Sequence, residues 1–186
     1  MRIVLVHGFN VRDFGKRSVD RLAPWFENWG FVVDTDEADY GWFGLLSVRL
    51  FKQPAIDRIT NALRGADIVV THSNGAYFTN EALKQLDEPH RVRVFHLSPA
   101  LNRRTKLPPA VKRCVVFCSR RDWAVKLAAL VPFSKWGSMG AYGPISTDQR
   151  YACQDWTDSV EGHSDWFTDE NRYYVAAEIE RLIHDH

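Results

Sequence analysis

Short runs of β-branched and other apolar residues, each closed by a polar or turn residue, recur along the chain at 3–6, 31–34, 67–71, 91–97, 113–118 and, more weakly, 150–154. Runs that are apolar throughout, rather than alternating, predict strands covered on both faces. The segments between them have helical spacing. Val19, Leu22, Phe26 and Trp29 recur at three- and four-residue steps before Gly30, and Pro54 opens a segment carrying Ile56, Ile59 and Leu63 that stops at Gly65. Tyr77, Phe78, Ala82 and Leu86 follow Ser73, and Val175, Ile179 and Leu182 mark a last helix. Strands alternating with helices predict an α/β fold, a doubly wound, mainly parallel six-stranded sheet with helices on both faces. No repeat or Pro/Gly-rich linker interrupts the pattern, so 1–186 reads as a single domain.

Composition narrows the possible partners. The 24 Lys and Arg of the 186 residues are balanced by 23 Asp and Glu, so no overall field draws the chain to nucleic acid or to an anionic membrane. Charge is nevertheless uneven. Residues 103–126 hold eight basic side chains and one acid, whereas 147–186 hold ten acids and three basic ones. Either the two segments neutralise each other on the folded surface, or the first forms a basic rim that attracts an anionic substrate. Cys114, Cys118 and Cys153 are too few for a disulfide framework and contain no CxxC pair. The apolar run at 3–6 is too short for a signal-peptide core, and 123–133 is too short for a membrane span. These features predict a cytoplasmic protein without a membrane span.

Chemistry concentrates in loops that follow strands. Val70-Thr71-His72-Ser73-Asn74-Gly75-Ala76 is a strand, a tight turn centred on serine, and a helix start. Such a turn lifts the hydroxyl above the sheet edge and needs small neighbours, a need that Gly75 meets. Thr71 stands where the first glycine of G-x-S-x-G would be. A serine nucleophile also requires a base, an acid to orient that base, and donors for an oxyanion. Asp122 lies in the loop 119–125 after the fifth strand, and His163 lies in 161–166, before the final helix. Asp148, Asp155 and Asp158 compete for the acid's role, and helix capping is the structural alternative for Ser73 and for Asp122. Ser98 also ends a strand, but Pro99 removes the amide an oxyanion hole would use.

Taken together, His7-Gly8-Phe9-Asn10 after the first strand, the elbow 71–76, the acid loop 119–125 and Gly162-His163-Ser164 resemble the α/β-hydrolase superfamily over essentially the whole chain. The resemblance implies Ser73 as nucleophile, Asp122 as acid and His163 as base, with the backbone amides of Phe9 and Asn74 as oxyanion donors. His7, Gly8 and Gly75 would support the oxyanion loop and the elbow. It implies hydrolysis of a small-molecule carboxylic ester through an acyl-enzyme, with no metal or cofactor. A thioesterase, amidase or acyltransferase would use the same residues, and a non-catalytic hydrolase-like binding protein is the alternative of another class.

Two expectations concern the substrate pocket. Trp123, Trp136 and Trp166 fall in segments that would rim the site and are candidates for an acyl or alcohol pocket. Six strands and their helices use most of the length, so a separate cap domain has no room and 123–148 is the possible partial lid.

Overall fold

A computed structural model of the chain describes residues 1–8, 13, 15–40, 52–86, 91–131 and 136–185. Six strands form one sheet: β1 (Arg2–Val6), β2 (Val32–Asp34), β3 (Ile68–His72), β4 (Val92–Leu97), β5 (Val111–Cys118) and β6 (Tyr151–Asp155). Their order is β2-β1-β3-β4-β5-β6, and every neighbouring pair is parallel. Each strand lies within two residues of the run that predicted it, because continuous apolar runs are what a sheet buried on both faces requires. Side chains alternate between the faces. Val4, Val6, Val69 and Val116 join one core layer, and Ile3, Leu5, Val70 and Phe117 join the other.

The first layer is closed by α2 (Lys52–Leu63), through Ile56, Ile59 and Leu63, and by α3 (Gly75–Leu83), through Phe78 and Ala82. The second is closed by α1 (Ala23–Asn28), through Phe26, and by α6 (Arg172–His184), through Val175, Ile179 and Leu182. Each of these side chains except that of Ala82 contributes roughly 1.5–3 kcal/mol on burial, so helical spacing fixes which face of each helix turns inward.

The pattern expected as one helix from Val19 to Trp29 is instead a 3-10 turn, Val19–Leu22, followed by α1. Pro24 is the cause. It has no amide to continue a ladder and is accommodated only in a helix's first turn. Two short helices carried no sequence signal, α4 (Trp123–Ala128) and α5 (Met139–Tyr142). No helix among the described residues is long and apolar enough to cross a membrane.

The topology locates the site. From β1 the chain moves outward to β2 and then returns to the other side of β1 to form β3, so the winding reverses between β1 and β3. Ligand sites of open α/β sheets form at the carboxyl ends of strands beside such a reversal. His7 and Gly8 leave β1 there, and Ser73 leaves β3.

Candidate active site

Ser73 sits on a strained turn. Its φ is 55°, a left-handed value that costs a non-glycine residue about 1–2 kcal/mol. The turn is held on both sides: the Ser73 amide donates to the Leu97 carbonyl at 3.1 Å, and the Ser73 carbonyl accepts from the amides of Ala76 and Ala100. A side chain at position 75 would meet the His7 carbonyl at 2.3 Å, and one at position 8 would meet Ser73 Cβ at 2.9 Å. The strand-helix turn and the β1 loop therefore fit together only because both positions are glycine. Thr71, in place of a further glycine, shares a 2.6 Å hydrogen bond with His96 Nδ1 on β4. Burial holds the His96 imidazole down at about 3, so it is neutral at neutral pH.

Asp122 and His163 meet. His163 Nδ1 donates to Asp122 Oδ2 at 2.7 Å, which leaves Nε2 as the nitrogen able to accept a proton. The other oxygen of Asp122 accepts from the amides of Ala124 at 3.1 Å and Val125 at 3.3 Å, capping α4. Capping and orientation of the imidazole are thus the work of one carboxylate. Its burial is complete and would raise its pKa. The hydrogen bond and charge of His163, the Ser98 hydroxyl and the Val125 amide outweigh that effect and lower it.

Three positioning groups escaped the sequence reading. Ser98, with a φ of 44°, is fully buried and accepts from Trp166 Nε1 at 2.9 Å, and its hydroxyl helps to lower the Asp122 pKa. Its place at the end of the strand neighbouring β3 was the available signal; rejecting it as a nucleophile left no role assigned. His72 turns to the histidine loop, where Nε2–H donates to the His163 carbonyl at 2.9 Å. Burial, helped by nearby His163, lowers its pKa to about 3 and keeps this neutral donor form. Tyr40 donates to the carbonyls of His7 and Gly8 and stacks on His7, whose Nε2 contacts Asp39 at 2.7 Å. No periodicity connects 39–40 with His7.

Ser73, Asn74 and His163 line a cleft of about 260 Å³ together with Ala100, Ala124, Val125, Ala128 and Trp136. Trp136 Nε1 donates to Asn74 Oδ1 at 2.6 Å. Among the described residues, the Asn74 amide has no backbone acceptor. Phe9, the other expected oxyanion donor, lies outside the described residues. Two pocket expectations require correction. Trp166 is 0% exposed and packs in the core against Phe117 and Trp156, while Trp123 is 64% exposed and does not line the cleft. Both reversals have the same origin, since the segments' positions were legible but the directions of their side chains were not.

Among the described residues, no basic side chain of 103–126 lines the cleft. Arg120 faces Asp155 at 3.7 Å, Arg121 pairs with Glu161 at 2.7 Å, and the Arg113 guanidinium donates to the Asp185 carbonyl. Arg120 and Arg121 thus meet acids of the C-terminal segment. Among the described residues lining the cleft there is no Lys or Arg, and no three His, Cys, Asp or Glu side chains converge as metal ligands.

No protein-family model matches the chain, and no curated protein matches it. Among solved structures it is similar to a protein from Xanthomonas campestris pv. campestris whose assignment as a hydrolase of the alpha/beta superfamily is provisional. The correspondence has a TM-score of 0.57 at 17% identity and covers 100% of this chain and 99% of the other. An all-parallel sheet in this strand order, with helices on both faces and correspondence over the full length, is the α/β-hydrolase fold, and the chain adopts it.

Proposed function

We propose that the protein is a serine hydrolase that cleaves a carboxylic ester through Ser73, His163 and Asp122. The observation that carries this reading is the 2.7 Å bond from His163 Nδ1 to a fully buried Asp122, with His163 lining the same cleft as a strained serine. In the proposed reaction, His163 Nε2 takes the proton of the Ser73 hydroxyl as Oγ attacks the ester carbonyl. Asp122 holds the tautomer and stabilises the imidazolium. The tetrahedral oxyanion rests on the Asn74 amide, at the start of α3 where the helix dipole assists, and on the amide of Phe9. Collapse expels the alcohol, protonated by His163, and leaves Ser73 acylated. Water activated by the same imidazole then releases the acid.

The cleft suggests a small, uncharged acyl or alcohol group. Its volume lies below the range of drug-sized ligand pockets, and its walls include three alanines, Val125 and Trp136. Ala124, Val125, Ala128 and Trp136 all come from 123–148, which supports that segment as a partial roof. A fluorophosphonate probe tests the chemistry: it is expected to label the folded wild type and leave Ser73→Ala unlabelled. No labelling, or equal labelling of the two, would sink the hydrolase reading.

A further inference from the structure

Outside the cleft, the parallel register of β5 and β6 brings two distant cysteines together. Val116 lies opposite Cys153 and Cys118 opposite Asp155, so Cys118 and Cys153 are diagonal neighbours on adjacent strands. Their sulfurs are 3.2 Å apart, close enough for a thiol hydrogen bond, and both are free. Gly143 makes the approach possible: its φ is 69°, and a side chain there would meet Cys153 Sγ at 2.7 Å. Cys153 is exposed on the edge strand β6, whereas Cys118 is buried at the end of β5. An exposed cysteine is therefore backed by a buried one.

We propose that Cys118 and Cys153 are a reversible oxidation site, closing to an intramolecular disulfide when the protein meets a peroxide. The Cys153 thiolate attacks one peroxide oxygen, the O–O bond breaks, hydroxide leaves, and Cys153 becomes a sulfenic acid. The Cys118 sulfur then attacks Cys153 Sγ, displacing the hydroxyl, which departs as water with the Cys118 proton. Two thiols are oxidised and one peroxide is reduced to two waters. The hydrogen bond with Cys118 lowers the pKa of Cys153, outweighing burial and the charge of Asp155, which raise it, with a smaller contribution from Arg103, and so favours the attacking thiolate. Diagonal partners in a sheet stand near the limit of disulfide reach. Among the described residues no strand lies on the outer side of β6, so it can shift toward β5 to close the bond and relax when it is reduced. Cys114 lies in the core at 0% exposure and takes no part.

The test is intact mass and denaturing thiol titration of the full chain after treatment with hydrogen peroxide. The wild type is expected to become two hydrogens lighter, to retain one titratable thiol and to recover three with dithiothreitol. Cys114→Ser is expected to lose the same two hydrogens, while Cys118→Ser and Cys153→Ser do not. Tandem mass spectrometry of the oxidised wild type locates the link without relying on any variant. Addition of oxygen without a link, a link through Cys114, or a link between two molecules overturns the proposal. None of these readouts depends on hydrolase activity.

Discussion

Ser73 and Ser98 adopt positive φ at the ends of adjacent strands, and the amide of Ser73 is bonded to the residue before Ser98. A left-handed serine at each strand end turns the chain sharply, which brings the first to the wall of the cleft and buries the second completely. The pair shows why motif reading singled out one serine and left the other without a role. Ser73 has a glycine two positions later and a helix to follow, both visible in order along the chain. The partners of Ser98 are Asp122 and Trp166, distant in sequence. Ser98→Ala removes the acceptor of a buried indole N–H and a hydroxyl that favours the ionised Asp122 carboxylate. It is expected to cost about 1–3 kcal/mol in urea unfolding and to slow fluorophosphonate labelling of Ser73. Unchanged stability would contradict the role given to this hydroxyl.

At the level of elements, α4 is a helix of six residues with no amphipathic signature, and it exists because Asp122 caps it. Capping and contact with the histidine, alternatives for Asp122 in the sequence, are divided between its two oxygens: one accepts from the Ala124 amide and the other from His163. Substitution separates them. Asp122→Asn keeps a capping oxygen but loses the charge that selects the His163 tautomer, so kcat on a short p-nitrophenyl ester is expected to fall about 10⁴-fold. Asp122→Ala is expected to lose similar activity and, in addition, roughly 0.5–2 kcal/mol of stability from the cap. If Asn retained most of the activity, the carboxylate would not be the acid of the reaction.

Across the whole molecule, His72 and His96 are buried as neutral rings, each at about 3 against an ordinary 6.5. Between those values the unfolded chain takes up protons that the folded one refuses, so stability falls with pH by about 1.4 kcal/mol per pH unit for each ring. Asp20, raised to about 7 chiefly by burial, opposes this in part, since it binds its proton more readily when folded. Urea unfolding at pH 6.5 and 4.5 is expected to show lower stability at the acid value, and His96→Gln a shallower loss. Equal slopes in the two proteins would remove His96 from the account. The strands, their parallel arrangement and the order Ser73, Asp122, His163 were legible in the chain, because apolar runs, helical spacing and turn residues are local consequences of backbone geometry and burial. Folding alone settled the contact of Asp122 with His163, the service of Ser98 and His72, the departure of Trp123 and Trp166 from the pocket, the pairing of charged segments and the meeting of Cys118 with Cys153. Each of these depends on strand register or side-chain direction between distant residues, and a linear pattern of polarity carries neither.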